Sequence, residues 1–106
     1  MHNEITINMN KKYFVLHLMP NRPDFAQTMT DEEKSIMQRH VQHLTGHMAA
    51  GKIITFGPVL HPAGAYGLAI VAVDDESEVK DIIDNDPASS INRYEYYPMM
   101  AVVRSE

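Results

Sequence analysis

The 106-residue chain contains no cysteine, and this absence excludes several kinds of site at once. A disulfide framework, a thiolate nucleophile and a cysteine-based zinc or iron–sulfur centre all require that residue. Long apolar runs are absent too, since none approaches the roughly eighteen residues of a membrane-spanning helix. No basic-then-apolar segment opens the chain, as it would in a secretory signal. We therefore expect a cytoplasmic protein that makes no use of a membrane.

Basic residues are also few, with nine lysines and arginines against fourteen acidic residues and a formal charge of -5. The longest basic cluster is Lys11-Lys12. Binding to nucleic acid or to an anionic membrane surface requires a basic face, so we expect neither partner. Phosphate loops, dinucleotide fingerprints, nucleophile elbows and zinc-protease motifs are missing as well. We therefore expect no organic cofactor and no serine hydrolase chemistry.

The first half of the chain predicts a strand, a helix and a second strand. Residues 1–11 are polar and read as an N-terminal extension, a loose tail in preference to an edge strand. Tyr13 to Met19 predicts a strand that is apolar on both faces, followed by a loop over residues 20–29. A capping box at Thr30–Glu33 begins the helix, and Gly51 fits the position just past its end. Lys52 to Phe56 predicts a strand that stops at Gly57-Pro58.

The second half also predicts a strand, a helix and a strand. After a loop over residues 57–65, Tyr66 to Val73 predicts a strand that is again apolar on both faces. Asp74, Asp75 and Glu78 cap a second helix, which stops by Asn85 because Pro87 disfavours helical geometry at the residue before it. Arg93 to Val103 predicts the last strand, where Pro98 marks a bulge, a bend or a sheet edge.

The order β-α-β-β-α-β predicts one α+β domain over residues 12–106 with a ferredoxin-like fold. Such a fold has a four-stranded antiparallel sheet with two helices on one face, so the other face is bare. Two strands are nevertheless apolar on both sides. We expect a second copy to cover this face, sheet on sheet, in a homodimer. The alternative is a monomer whose open sheet holds a large ligand.

Histidines are the residues that could carry chemistry, and three of them share an arc of about 60° on the first helix. His40 lies at the edge of the apolar stripe and His43 lies farthest from it. His43 and His47 have the i, i+4 spacing of zinc-binding helices. No carboxylate shares their inner face at a useful spacing, so we expect two solvated histidines and no metal site. His17, on the first strand, could reach the open face of the sheet.

His40 and Asp86 are the two candidate site residues. His40 is either a structural histidine bonded to a backbone carbonyl or an acid–base group. Asp86 is either the N-cap of a short turn over Pro87–Ser90 or the carboxylate that orients an imidazole. The sequence does not show whether the two side chains meet. On the last strand, Tyr94 and Tyr96 share one face and Tyr97 lies on the other, as core or interface residues of which one could line a pocket.

The segment HVQHLTGHMAAGKIITFGP carries a family resemblance. In it Gly51 is the eleventh residue after His40 and Gly57-Pro58 follows, and Asp86-Pro87 comes later in the chain. With this pattern the chain resembles YCII-related (YciI-like) proteins, a family of dimeric α+β barrels, over about Tyr13 to Val103. The resemblance implies a cleft in each subunit that holds a His–Asp pair, here His40 and Asp86.

Two functions follow as expectations. The resemblance implies a small-molecule enzyme of the lyase, isomerase or dehydrohalogenase type that needs no organic cofactor. His40 would be its general base or acid, and Asp86 would hold the imidazole tautomer. The alternative is a non-catalytic dimeric protein that binds a small hydrophobic molecule, which the eight methionines and the aromatic residues would suit.

Overall fold

The computed structural model describes residues 11–104 and, for the backbone alone, residues 5–7. The strands and α-helices within these residues are β1 (Ile5–Ile7), β2 (Lys12–Met19), α1 (Phe25–Thr28), α2 (Asp31–Ala49), β3 (Ile53–Val59), β4 (Tyr66–Val73), α3 (Glu76–Asp84), β5 (Arg93–Met99) and β6 (Val102–Arg104). A 3-10 helix, Pro87–Ser90, lies between α3 and β5.

The main sheet has the strand order β3-β4-β2-β5, and every neighbouring pair is antiparallel. This is the predicted ferredoxin-like arrangement, and helices α2 and α3 pack on one face of the sheet. Alternate residues of β2 and β4 face the helices, including Leu16 and Val71, which are both fully buried. Leu44 of α2 and Ile82 of α3 close the same core. The helix-facing side of the sheet therefore carries the hydrophobic core.

Local signals place both ends of the two long helices. In α2 the hydroxyl of Thr30 accepts from the Glu33 amide at 3.1 Å, and the Glu33 carboxylate accepts from the Thr30 amide at 2.9 Å. Gly51 follows the helix with a φ of 81°, a conformation that glycine adopts without strain. An equivalent capping box starts α3, where Asp75 is the N-cap. These predicted boundaries are confirmed.

The N-terminal extension is not wholly a loose tail, so that prediction is wrong for residues 5–7. They form β1, which pairs antiparallel with β6. The predicted single strand over 93–103 is accordingly two strands, because the chain leaves the main sheet after Met99 and pairs with β1 instead. Pairing between distant segments depends on tertiary context, which short-range patterns do not contain. Residues 1–4 and 8–10 of the predicted tail lie outside the described residues.

Two segments predicted as loops contain regular structure. Strand β3 does not stop at Gly57-Pro58 but continues to Val59, with Pro58 opposite Gly67. Proline is tolerated there because β3 is an edge strand, where one row of amides has no neighbour to bond. Residues 20–29 include the short helix α1. Pro98 also lies on an edge strand, β5, which is one of the three alternatives predicted for it.

The buried face of α2 is rotated from the predicted one. Its buried residues are Ile36, His40 and Leu44, so His40 lies in the middle of the face instead of at its edge. The spacing of Met37, Val41, Leu44 and Met48 predicts one apolar stripe, but Val41 is 49% exposed and Met48 is 37% exposed. The rotation follows from the polar partners that the 3-10 helix and α3 offer to the imidazoles of α2.

The other sheet face is apolar and partly open. Tyr13 is covered by Ala72 and Ala101, close to where β6 begins. On the same face, Tyr97 is 52% exposed and Met99, opposite Tyr13, is 43% exposed. No helix within the described residues has the length and apolar character needed to cross a membrane.

Candidate functional site

The centre of the site is a contact between His40 and Asp86, residues that are distant in the chain. His40 lies in the middle of α2, and Asp86 is the N-cap of the 3-10 helix. Nδ1 of His40 is 2.7 Å from Oδ2 of Asp86. Both residues are buried, at 8% and 3% exposure. The structure thus brings together the two predicted site residues.

The Asp86 carboxylate accepts three hydrogen bonds. Besides His40, the Tyr94 hydroxyl donates to Oδ2 at 2.5 Å, and the Ala88 amide donates to Oδ1 at 2.9 Å. Burial alone would raise the pKa of Asp86, but the bonds from His40, Tyr94 and Ala88 outweigh it, so the pKa lies below its ordinary value. Asp86 is therefore an anion at neutral pH.

Hydrogen bonding to an anion determines the tautomer of His40. A carboxylate accepts only, so in the neutral imidazole of His40 Nδ1 carries the hydrogen and Nε2 has the free lone pair. Tyr94 is a donor for the same reason, and burial together with its bond to Asp86 raises the pKa of its hydroxyl. Nε2 of His40 is consequently the ring nitrogen that can act on a ligand.

A cavity of about 280 Å³ lies beside His40, between helices α1 and α2 and the helix-facing side of the sheet. An engineered protein cavity of roughly 150 Å³ holds benzene, so this one has room for a ring with a few substituents. Its lining is almost entirely apolar and includes Leu18, Phe25, Met29, Met37, Val41 and Phe56. The arrangement offers one imidazole nitrogen to a small hydrophobic molecule.

Two loops border this cavity. Residues 20–29 contribute Pro20, Phe25, Ala26 and Met29, and the connection between β3 and β4 contributes Ala65. The loops approach closely at Gly64, where a Cβ would lie 2.8 Å from the carbonyl oxygen of Pro23. With a φ of 136°, that position admits glycine far more readily than any other residue.

Residues 13–102 match the family model of the YCII-related domain. The chain belongs to the YCII-related family. Since the match covers most of the chain, it confirms the resemblance carried by His40, Gly51, Gly57-Pro58 and Asp86-Pro87. The chain has no significant match among curated proteins.

The remaining histidines of α2 in this YCII-related domain differ from their predicted places. Nε2 of His43 donates to the carbonyl oxygen of Ile82 at 2.8 Å, and His43 and His47 pack edge to face with centroids 4.7 Å apart. Both are half-buried, so the prediction of two solvated histidines is wrong. Burial, with His43 and Lys52 nearby, lowers the pKa of His47.

Of the two, His43 joins α2 to α3 through its bond to Ile82. Among the described residues of the YCII-related domain, no three His, Asp or Glu side chains are grouped as a metal site would require. His17 faces away from the cavity and packs edge to face on Tyr66 at 4.4 Å. His40 is therefore the histidine that the fold places at the cavity wall.

The expectation that one tyrosine of the last strand lines a pocket is confirmed for Tyr94, whereas the sequence did not identify Asn92. Alternation along the last strand places Tyr94 and Tyr96 on the helix-facing side, but their hydroxyls have different partners: Asp86 for Tyr94 and the exposed Glu76 for Tyr96. Asn92 is 9% exposed and lines the cavity just before β5. A buried asparagine needs polar partners, but neither the burial of Asn92 nor its position at the cavity can be read from the sequence, since both depend on the tertiary fold.

Proposed function

We propose that this YCII-related protein is an acid–base enzyme that moves a proton on a small organic molecule, with His40 as the base. The observation that carries the proposal is the 2.7 Å bond between buried Asp86 and Nδ1 of His40, at the wall of an apolar cavity. A fixed tautomer with Nε2 unprotonated is the form that a general base needs.

The proposed step is removal of a proton from carbon. Nε2 of His40 takes a C–H proton, and the electron pair of that bond forms a double bond to the neighbouring carbon. In an isomerisation the pair is delocalised onto a carbonyl oxygen and His40 returns the proton to another carbon. In an elimination the pair expels a leaving group as an anion. In both cases Asp86 stabilises the imidazolium that forms.

The surroundings of the pair favour this chemistry. An apolar lining lowers the local dielectric constant, which strengthens the attraction between the Asp86 carboxylate and a protonated His40. The carboxylate is held by Tyr94 and the Ala88 amide as well, so it cannot turn away when the imidazole charges. A general base in such a position contributes about 10²- to 10⁴-fold to the rate.

A homodimer is part of the proposal. The sheet face away from the helices carries Val15, Ile70 and Tyr97 side by side on three strands. A second copy packed on this face would cover these side chains and leave the cavities on the outer, helix-facing sides. The cytoplasmic location expected from the sequence stays a prediction.

Proton exchange tests the catalytic role without a known substrate. Small cyclic ketones, lactones and halogenated analogues are incubated with the protein in D₂O, and deuterium uptake next to the carbonyl is followed by ¹H NMR. Exchange of at least one compound is expected, and His40→Gln should slow it by about 10²- to 10⁴-fold. His61→Gln, at an exposed residue that does not line the cavity, serves as the matched control.

The alternative function predicts a different result. A non-catalytic protein that binds a small hydrophobic molecule would bind members of the same panel without exchanging their protons. Binding with no exchange, or exchange that His40→Gln leaves unchanged, would contradict the enzymatic proposal. The apolar lining of the cavity is the observation that keeps this alternative open.

A further inference from the structure

The chemical class of the ligand can be read from the polar groups that the cavity offers. None of the described residues that line it is lysine, arginine, aspartate or glutamate. A carboxylate or phosphate on the ligand would therefore be buried without a cationic side chain to pair with it, which is costly. An uncharged ligand is the one that this lining admits.

Four lining residues carry polar side-chain atoms: His40, Tyr66, Asn92 and Tyr94. The hydroxyl of Tyr94 is engaged by Asp86, and Nε2 of His40 is an acceptor in the tautomer that Asp86 selects. The ring of Tyr66 packs on His17, which belongs to the other sheet face. Asn92 is thus left as the group that can donate a hydrogen bond into the cavity.

The Asn92 amide is oriented by its own neighbours. Its Oδ1 accepts from the backbone amide of Asn21 at 3.2 Å, which distinguishes the oxygen end from the nitrogen end. Its Nδ2 is 3.8 Å from the sulfur of Met37, another lining residue. A thioether is a weak acceptor and Nδ2 carries two hydrogens, so this buried donor has capacity for a ligand oxygen.

We propose that Asn92 is the oxygen-binding residue of the cavity and that the ligand is an uncharged, mostly apolar ring compound with a carbonyl oxygen. The proposal deepens the acid–base function, on which it rests for the choice of a carbonyl. Removal of a proton next to a carbonyl places negative charge on its oxygen. A donor such as Nδ2, aimed at that oxygen, stabilises the charge where it develops.

Binding of three probes of similar size tests the assignment. Acetophenone has the ring and the carbonyl, ethylbenzene lacks the oxygen, and benzoate carries a charge. Dissociation constants for the wild-type protein and Asn92→Leu are measured by NMR titration. Acetophenone should bind the wild type more tightly than the other two. Asn92→Leu should weaken acetophenone about 3- to 10-fold, the size of one hydrogen bond, and change ethylbenzene less than about 2-fold.

A measurement on the wild-type protein covers the case in which Asn92→Leu does not fold. The side-chain ¹⁵NH₂ resonances of Asn92 should shift with acetophenone and stay in place with ethylbenzene. The proposal is overturned if acetophenone binds no better than ethylbenzene, if benzoate binds as well as acetophenone, or if Asn92→Leu weakens both neutral probes equally.

The two proposals can fail separately. Probe binding involves no proton transfer, so His40→Gln should preserve the preference for acetophenone over ethylbenzene even though it slows exchange. If that preference depends on Asn92 but no carbonyl compound exchanges its protons, only the catalytic role of His40 is lost.

Discussion

At the scale of single residues, the carboxylate of Asp86 decides what the site can do. It caps the 3-10 helix through Ala88, and it holds the rings of His40 and Tyr94. The two interpretations of Asp86 that the sequence leaves open, a structural cap and a partner for an imidazole, are therefore both correct. Oδ1 accepts the capping hydrogen bond from the Ala88 amide, and Oδ2 accepts the hydrogen bonds from His40 and Tyr94.

Tyr94→Phe should make the protein more sensitive to acid. The Tyr94 hydrogen bond is one of the causes that lower the pKa of Asp86, so its loss raises that pKa. A carboxyl with a depressed pKa in the folded state stabilises the fold above its unfolded pKa, and this stability disappears as the pH falls through the folded value. The acid-unfolding midpoint, followed by circular dichroism, should thus move to higher pH.

The matched control for Tyr94→Phe is Tyr96→Phe, on the same strand and the same sheet face. Its hydroxyl donates to the exposed Glu76 at 2.8 Å, and exposed bonds of this kind contribute little. At neutral pH, Tyr94→Phe should cost about 1.5–3 kcal/mol, as for a buried bond to a charged group. Equal effects of the two substitutions would contradict the role assigned to Tyr94.

At the scale of secondary structure, the sequence predicts an element accurately when the residues that determine it lie within the element or at its ends. Strand β4 and helix α3 were predicted closely, since caps and alternation lie within the elements themselves. Three features were not predicted correctly: the extent of β3, the strand β1 and the buried face of α2. Each depends on pairing or packing with a distant segment. The site shows the same division: His40 and Asp86 were identified, whereas Asn92 becomes a site residue only through the cavity.

Glu33→Gln should destabilise the protein near neutral pH and have no effect in strong acid. Glu33 closes the capping box of α2 and accepts from Arg22, which also donates to the carbonyl of Thr28 in α1. These hydrogen bonds, from Arg22 first and then from Thr30, lower the pKa of Glu33 to about 2.

The sign of this pH dependence follows from the depressed pKa. The stabilisation by Glu33 is complete above the ordinary value of 4.5 and disappears as the pH falls through about 2. Melting temperatures of the wild type and Glu33→Gln should therefore differ at pH 7 and converge towards pH 2. The control is Glu32→Gln, on the exposed side of the same helical turn, and a difference that persists at pH 2 would contradict the assignment.

At the scale of the whole molecule, one chain completes only one side of its sheet. Helices cover one face, and β6 with its neighbours covers a corner of the other around Tyr13. In the centre of that second face Val15, Ile70 and Tyr97 lie side by side, with Val15 and Ile70 half-buried and Tyr97 52% exposed. An apolar face of this kind is typical of a surface that associates.

Val15→Lys should therefore convert the proposed homodimer into a monomer. A lysine in the middle of the sheet face would place a charge between two apolar surfaces, which disfavours their contact without touching the helix-facing core. Sedimentation equilibrium should give twice 12.0 kDa for the wild type and 12.0 kDa for the variant. Gln42→Lys, on the exposed side of α2, adds the same charge elsewhere and should leave the mass unchanged. A wild-type protein of 12.0 kDa would contradict the dimer and favour an open sheet that binds a large ligand.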